Sequence, residues 1–220
     1  ENFRRAKAEV EKSRAQLEIV SDKLSVIRKK YSQMLTDKII EGLKDLNFLD
    51  VQFHIDFQRK KEYTDNGFDD IEYEISTNPG ESVKPLGRIV SGGELSRIML
   101  AIKAILADRD QIETLIFDEI DTGISGRTAQ KVSEKLALIG RSRQVICITH
   151  LAQLASMADS HYCIEKRAVD GSTQTGIRLL DEQESVEELA RILGGAQITD
   201  AVIDNAREMK KLAQKFKAHR

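Results

Sequence analysis

Apolar residues recur at alternating steps of three and four over the first 34 residues, with charged residues between them and no Gly or Pro. This heptad spacing is typical of a helix that packs along a second helix in a coiled coil. The seam positions are Phe3, Ala6, Val10, Ser13, Leu17, Val20, Leu24, Ile27, Tyr31 and Met34. No second heptad segment follows, so we expect the partner to be another chain or sequence upstream of Glu1. A single helix packed on the globular body is the alternative.

After residue 46 the hydrophobic pattern changes to a period of two. Apolar and polar residues alternate over 51–57 and again over 71–75, and "TDNG" at 64–67 lies between these segments. This arrangement predicts an antiparallel hairpin with a tight turn. The segment "TNPGES" (77–82) predicts a loop.

The rest of the chain alternates helical patterns with short apolar strands. Helical faces are predicted at 95–106 and 129–139, strands at 113–117, 144–149, 161–166 and 176–180, and closing helices near 185–193 and 198–217. The strand runs lack alternation, which indicates parallel strands covered on both faces by helices. We therefore predict an α/β fold: a mostly parallel sheet with flanking helices and an antiparallel hairpin, preceded by a long coiled-coil helix.

Composition narrows the class of protein. Charged residues make up 32% of the chain and aromatic residues 5%, which is typical of helix-rich intracellular proteins. The chain has no apolar run near the roughly 20 residues that span a bilayer, and it begins with Glu1 rather than Met, as a fragment would. Cys147 and Cys163 lie in apolar, strand-like segments, so we expect buried free thiols in a reducing compartment.

Positive charge is concentrated at the two ends of the chain. Residues 1–30 hold nine Lys or Arg against five Asp or Glu, and residues 207–220 hold six against one. Basic ends around an acidic middle suit contact with nucleic acid, although solvated helix faces carry the same pattern.

Two predicted strands end in side chains that can do chemistry. Asp118 and Glu119 follow "TLIF", and His150 follows "ICIT". Ligands bind at the carboxyl edge of such sheets, where one carboxylate can hold Mg²⁺ through water and another can orient an attacking water. A histidine at that edge could reach a terminal phosphate or the water. The structural alternatives are a helix cap at Asp118 and a packed histidine at 150.

A third feature is Ser91-Gly92-Gly93 at the start of a predicted helix. Unpaired backbone N–H groups and the positive end of the helix dipole lie there, and glycines let an anion approach the backbone. The competing interpretation is that Ser91 caps the helix and a tight turn follows.

In this order, and within about sixty residues, the three features resemble the C-terminal lobe of an ABC-type ATPase head. By this resemblance Ser91 to Leu95, which includes Gly92, Gly93 and Glu94, is the signature motif, and Leu115 to Glu119 is the Walker B strand. His150 is the switch histidine, and "DTGIS", with Asp121, Thr122, Gly123 and Ser125, is the D-loop. The heptad helix points to the SMC-like branch, in which a coiled coil is inserted between the two lobes of the head.

Longer stretches, "NPGESVKPLGRIVSGGELSRIMLAIK" and "FDEIDTGISGRTAQKV", are similar to a bacterial DNA repair family within that branch. The resemblance implies a cytoplasmic, nucleoid-associated protein without a membrane anchor that tethers DNA at double-strand breaks, acting with the recombinase RecA. It implies ATP and Mg²⁺ as cofactors and a homodimer of heads. It also implies Glu119 and His150 as catalytic residues, Asp118 as a water-mediated Mg²⁺ ligand, and Ser91 to Glu94 as ATP-binding residues acting on the partner head.

The phosphate-binding loop Gly-x-x-x-x-Gly-Lys-Ser/Thr does not occur in the 220 residues. By resemblance it belongs to an N-terminal lobe upstream of the coiled coil. We therefore expect residues 1–46 to be the returning coiled-coil arm and residues 47–220 the C-terminal lobe, with little activity in isolation. An ABC transporter subunit and a non-catalytic coiled-coil interaction module are the alternatives.

Overall fold

The computed structural model describes residues 1–89, 91–106, 111–169, 172–195 and 197–219. The chain divides into two compact units, which we call the helix–hairpin unit (residues 1–89) and the α/β unit (residues 90–220). The division of the chain into an arm (1–46) and a head lobe (47–220) stays a prediction, because it concerns the parts of a longer protein.

The helix–hairpin unit consists of one long helix and a small antiparallel sheet. Its elements are α1 (Asn2–Asp45), β1 (Gln52–Thr64), β2 (Gly67–Ser76), the two-residue β3 (Lys84–Pro85) and a 3₁₀ turn at Leu86–Arg88. The predicted hairpin is present: Phe53 pairs with Ile75 and Ile55 with Tyr73. The strands turn at Asp65–Asn66, and Gly67 has a positive φ of 83°, which suits glycine.

Two faces of α1 differ in kind. The predicted seam is solvent-exposed, with large apolar side chains such as Phe3, Val10 and Val20 among the most open of the chain. A second face of α1 is buried, and the buried residues nearest the N-terminus are the small polar Ser21 and Ser25. Exposed apolar heptads need a partner helix, so pairing along this seam stays a prediction, while the second face of α1 packs within this unit.

The α/β unit holds the remaining elements. These are α2 (Gly92–Ile105), β4 (Thr114–Phe117), α3 (Gly126–Ile139), β5 (Gln144–Cys147), the single-turn α4 (Ala152–Ala155), β6 (Tyr162–Val169), β7 (Ser172–Leu179), α5 (Glu182–Gly194) and α6 (Asp200–Ala218). β4 and β5 are parallel and in register from Thr114 with Gln144 to Phe117 with Cys147. The predicted face of α3 agrees with the structure, since Ala129, Val132, Leu136 and Ile139 are all buried. The face predicted for α2 agrees only in part: Ile98 and Ile102 are buried, but Leu95, Met99 and Leu106 are half-buried, and the buried face also includes Arg97, Leu100 and Ala101.

Two strand predictions differ from the structure. The segments 161–166 and 176–180 belong to β6 and β7, which form an antiparallel hairpin rather than two parallel strands. β4 and β5 are covered on one face only: Leu115 and Phe117 are buried, whereas Ile116, Ile146 and Ile148 are exposed. The prediction of cover on both faces is therefore wrong within this chain, because these apolar side chains contact no second layer among the described residues.

A buried apolar cluster, rich in alanine, packs α4, α5 and α6 together near the C-terminal end of the unit. Ala152, Ala155, Val186, Leu189, Ala190 and Ala206 form one buried cluster. Small side chains let helices α5 and α6 approach closely, and Gly194 lies where a Cβ atom would be 3.2 Å from Val202. Among the described residues, none of the helices is both long enough and apolar enough for a membrane span.

Candidate functional site

Helix α2 begins at the predicted signature segment. Ser91 is its N-cap, and the Ser91 hydroxyl accepts a hydrogen bond from the Glu94 N–H at 3.4 Å. The Ser91 carbonyl accepts from the Leu95 N–H at 3.0 Å. The capping interpretation of Ser91 is thus confirmed, and an exposed serine cap leaves the other first-turn N–H groups without helical partners.

The two glycines lie against the loop that follows β4. A Cβ atom at Gly93 would be 2.9 Å from the Glu119 carbonyl oxygen and 3.1 Å from that of Thr122, and one at Gly92 would overlap Glu119 Oε2. Real Cβ atoms do not approach backbone this closely without displacement. Gly93 is therefore required by packing inside the unit, and the Glu119 carboxylate lies over Gly92 at the helix start.

Helix α2 also holds this loop by its backbone. The Ser96 hydroxyl donates to the Asp118 carbonyl at 2.9 Å. The Arg97 guanidinium donates to the carbonyls of Ile120 at 3.3 Å and Thr122 at 2.8 Å. Arg97 is only 7% exposed, and burial lowers its pKa, while the charge of Glu94 opposes that shift.

The carboxylates predicted to do chemistry remain accessible above this fixed backbone. Asp118 and Glu119 are both exposed, and Asp118 Oδ1 accepts from the Glu119 N–H at 2.9 Å. Asp118 therefore does not cap a helix. Glu119 has a φ of 57°, a left-handed conformation that costs a non-glycine residue about 1 kcal/mol or more and is concentrated at functional sites.

The third predicted chemical group, His150, lies at the end of the β5 segment, at the same edge of the sheet. Its side chain is 74% exposed, and Nδ1 lies 3.1 Å from Asp121 Oδ2. Asp121 has a side chain only 3% exposed, and the same oxygen accepts from Thr149 Oγ1 at 2.5 Å and from the His150 N–H at 2.9 Å. A buried carboxylate thus joins the loop after β4 to the end of β5.

The rest of the predicted D-loop is open to solvent. Thr122, Gly123 and Ser125 are exposed, and Gly123 has a φ of 74°. Ser125 is the N-cap of α3, but its side chain makes no capping hydrogen bond. The side chains of this segment are therefore accessible, in contrast to Asp121.

The pKa of the Cys147 thiol reflects the burial and negative charge at this edge of the sheet. Burial, followed by the negative charges of Asp121 and Asp118, raises the pKa of its thiol to about 12. Both cysteines are free, as predicted, although each is half-buried rather than fully enclosed. A thiol with so high a pKa is a poor nucleophile at neutral pH, so Cys147 is a structural residue.

The structure brings together the start of α2, the loop from Asp118 to Thr122 and His150 at one edge of the α/β unit, and it adds Ser96, Arg97 and Thr149. The burial of Arg97 could have been suspected from its position in the sequence: it lies four residues after Gly93 and three before Leu100, on the buried face of α2.

Among the described residues there is no cluster of three or more His, Cys, Asp or Glu side chains that could hold a metal ion by itself. The exposed Asp118, whose second oxygen has no hydrogen bond to a described residue, fits a cation held through water.

Comparisons with known proteins identify the relatives of this chain. It is 44% identical over 214 residues to DNA repair protein RecN of Halalkalibacterium halodurans, covering 96% of this chain and 38% of that protein. It is 40% identical over 209 residues to RecN of Bacillus subtilis, covering 88% of this chain and 36% of the relative. No protein-family model matches the chain.

A solved structure agrees with the fold. The Smc head domain with a coiled coil and joint from Pyrococcus yayanosii superimposes with a TM-score of 0.50 and 20% identity, covering 83% of this chain and 35% of that one. The predicted fold class is thereby confirmed. The present chain spans a little over a third of the length of the RecN proteins that it matches. The chain is therefore a homologue of part of the RecN DNA repair proteins, and its fold is similar to part of that Smc head domain with its coiled coil.

Proposed function

We propose that the chain is the C-terminal lobe of the ATPase head of a RecN-type, SMC-like protein that acts in recombinational repair of DNA double-strand breaks. The observation that carries this proposal is the meeting of the Ser91-Gly92-Gly93 helix start, the Asp118-Glu119 carboxylates and His150 at one edge of the unit. The names of the relatives, at about 40% identity over most of the chain, support the repair role.

In the proposed mechanism the residues of the edge act in two groups. Asp118 would hold Mg²⁺ through water, Glu119 would polarise the attacking water and His150 would contact the terminal phosphoryl group. Ser91, Gly92, Gly93 and Glu94 would bind the ATP held by a partner head, so hydrolysis requires a head dimer. When bound, the cofactor supplies the phosphoanhydride bond that is cleaved.

The D-loop assignment follows the same division. Thr122, Gly123 and Ser125 are exposed and suited to contact a second head, and Asp121 anchors the segment from below. Because Arg97 holds the carbonyls on both sides of Asp121, a displacement of this loop would be transmitted to helix α2. This supports a role in coupling two sites.

The exposed apolar face of β4 and β5 suits cover by another lobe of the head. Ile116, Ile146 and Ile148 leave an apolar surface on the strands that carry the site, and such surfaces are normally covered in α/β sheets. The sequence lacks the phosphate-binding loop. We infer that the N-terminal lobe of the same protein supplies both the cover and that loop, so this chain alone hydrolyses ATP weakly or not at all.

The coiled-coil partner and the larger assembly follow from exposed surfaces. The α1 seam would pair with the outgoing arm of the same protein, as in SMC-like heads. The basic segments 1–30 and 207–220 are candidates for DNA contact, and RecA is the proposed recombinase partner. A protein with this role acts in the cytoplasm, at the nucleoid.

A non-catalytic interaction module is the second candidate, and one observation favours it. The Glu119 carboxylate lies over Gly92, where the proposed mechanism needs room for a phosphate from the partner head. In that alternative, the contact is permanent and the exposed surfaces serve only for assembly. The ABC transporter alternative is not favoured, because the relatives are named as repair proteins.

Substitution of Glu119 by Gln in the full-length protein tests the proposal. We expect turnover to fall by about 100-fold or more, because a general base is lost, and ATP-bound head dimers to accumulate. The matched control is Glu113→Gln, an exposed glutamate at the opposite end of the same strand segment, which should leave turnover unchanged.

Mixing experiments separate the two candidates. Phosphate release from this chain together with a separately prepared N-terminal lobe, and from neither alone, is the result expected of a split ATPase. No phosphate release in any combination, with normal complex formation, would support the interaction module. Unaltered turnover of Glu119→Gln would exclude Glu119 as the base.

A further inference from the structure

One oxygen of a buried carboxylate accepts two hydrogen bonds at the sheet edge and lies within ion-pair distance of a histidine ring nitrogen. Asp121 Oδ2 lies 2.5 Å from Thr149 Oγ1, 2.9 Å from the His150 backbone nitrogen and 3.1 Å from His150 Nδ1. Two of these three contacts come from the same residue. The backbone contact fixes where residue 150 lies, and the ring contact fixes how its imidazole is turned.

The chemistry of the acceptor determines where the imidazole carries its proton. An ionised carboxylate has no proton to donate, so an unprotonated Nδ1 would turn its lone pair toward Asp121 Oδ2 at 3.1 Å, whereas a proton on Nδ1 makes the contact attractive. Of the two neutral tautomers, only the one protonated at Nδ1 satisfies this contact. The other ring nitrogen, Nε2, is therefore left free on a side chain that is 74% exposed.

The carboxylate is itself held from both sides. The buried Arg97 guanidinium donates to the carbonyls of Ile120 and Thr122, the residues that flank Asp121. With the backbone fixed before and after it, Asp121 has little freedom to follow a moving histidine. The order of contacts is from helix α2 through Arg97 to the loop, then through Asp121 to His150.

We propose that Asp121 is a positioning residue for His150: it selects the tautomer protonated at Nδ1, holds the ring and presents Nε2 to the reacting phosphoryl group. This rests on the function proposed above for His150. It also defines what Nε2 can do there. In the neutral ring Nε2 accepts a hydrogen bond, for instance from water, and it donates to a phosphoryl oxygen only when the ring carries both protons.

The tautomer can be measured without any catalytic activity. Long-range ¹H–¹⁵N spectra of the 220-residue chain at alkaline pH distinguish the two neutral tautomers of each histidine. We expect His150 to show the proton on Nδ1, and the exposed His54 of the other unit to serve as the reference for an unconstrained ring. A proton on Nε2 of His150, or a spectrum like that of His54, would overturn the proposal.

Two substitutions at Asp121 separate the hydrogen bonds from the charge. In Asp121→Asn the amide oxygen can take the place of Oδ2 and make the same three contacts, because the backbone N–H of His150 disfavours the flipped amide. We expect this variant to keep the Nδ1–H tautomer. In Asp121→Ala the acceptor is absent, and the His150 spectrum should approach that of His54. An unchanged His150 spectrum in Asp121→Ala contradicts the proposal, and if that variant does not fold, the wild-type and Asn spectra decide it.

Kinetics of the full-length protein give the second reading. Asp121→Ala should lower kcat by about tenfold or more while changing KM for ATP by less than about twofold, because Asp121 acts through His150 and does not touch the nucleotide. Asp121→Asn should recover most of that loss. The matched control is Asp204→Asn, which removes the charge of an exposed ion pair with Arg207 on α6 and should behave as wild type. Wild-type kcat in Asp121→Ala would overturn the positioning role. If even the wild type releases no phosphate, the proposed ATPase function fails, whereas the spectra still decide whether Asp121 sets the His150 tautomer.

Discussion

Both units contain a junction in which a helix meets a loop through a glycine and an arginine. In the helix–hairpin unit, Gly67 of the hairpin turn lies against α1, and Arg28 of that helix donates to the Asn66 carbonyl and to Asp69. In the α/β unit, Gly93 of α2 lies against the loop after β4, and Arg97 donates to two loop carbonyls.

The two arginines differ in burial, and Arg28 bonds a carboxylate as well as a carbonyl. Arg28 has a side chain 27% exposed and forms an ion pair with a carboxylate that is itself 3% exposed. Arg97 is 7% exposed, and its described bonds reach main-chain carbonyls. A side-chain ion pair joins two elements, whereas bonds to carbonyls immobilise a backbone. The first junction holds the helix to the hairpin, and the second keeps a loop fixed while its carboxylates stay exposed.

The largest difference between the junctions is expected on removal of the arginine. Arg97→Met should lower the free energy of unfolding by about 3 kcal/mol, because the buried carbonyl of Ile120 and the part-buried carbonyl of Thr122 lose a charged donor. Arg28→Met should cost less, about 2 kcal/mol, because Asp69 loses its cation but still accepts from the Ser25 hydroxyl. Urea unfolding followed by circular dichroism measures both. Arg127→Met, at an exposed position of α3, is the control, and equal losses for Arg28 and Arg97 would remove the distinction.

The glycines provide a slightly smaller effect. Gly93→Ala should cost about 2 kcal/mol, because the new methyl group would lie 2.9 Å from the Glu119 carbonyl oxygen and 3.1 Å from that of Thr122, which Arg97 holds in place. Gly67→Ala should cost about 1 kcal/mol through its positive φ of 83°, since its closest contact is an ordinary 3.4 Å to Leu24. Thermal unfolding compares them with Gly87→Ala, where nothing lies within 4 Å. A Gly93→Ala protein as stable as the Gly87 control would show that the loop yields.

The pH dependence should affect the first junction. Burial acts to raise the pKa of Asp69, but hydrogen bonds from Ser25 and Arg28 outweigh it, so the pKa is lowered. A lowered pKa adds stability above the ordinary value of 3.8, and this contribution is lost as the pH falls below about 4. Unfolding midpoints measured from neutral to acid pH should therefore fall less steeply in Asp69→Asn than in the wild type. Parallel acid limbs in the two proteins would contradict this.

The smallest expected effect concerns the rate at which the Cys147 thiol, near the second junction, is alkylated. Since burial and the charges of Asp121 and Asp118 raise the pKa of Cys147 to about 12, its alkylation should be slow and should keep rising with pH beyond the point at which an ordinary thiol of pKa near 8.5 levels off. A Cys163→Ser background isolates the signal. Asp121→Asn should lower the pKa and speed the reaction; a plateau near pH 9 in the wild type would mean that these carboxylates do not surround the thiol.

Local patterns predicted the elements well. The face of α3, the helix over the heptad segment and the hairpin of β1 and β2 depend on local spacing, and the structure confirms them. The RecN resemblance, read from motif wording, is confirmed by the relatives. The direction of β6 and β7 was wrong, because an apolar run records burial and carries no information on strand direction.

The contacts of charged residues were not predictable in the same way. Arg97 and Asp121 are the residue types normally found at a surface, and each is buried because its partners come from distant parts of the chain: Ile120 and Thr122 for the arginine, Thr149 and His150 for the carboxylate. Asp121 was assigned to the D-loop from its position in "DTGIS", and its contact with His150 spans 29 residues.

The order of signature, carboxylate pair and histidine, the heptad seam and the missing phosphate-binding loop are all properties of the sequence alone, since each is a spacing of residue types along one chain. Tertiary structure decided that the glycines pack on the loop after β4, that Arg97 fixes this loop, and that Asp121 holds His150. The physical reason is that burial and hydrogen-bond partnership are relations between segments, and they exist only once folding has brought those segments within a few ångströms of each other.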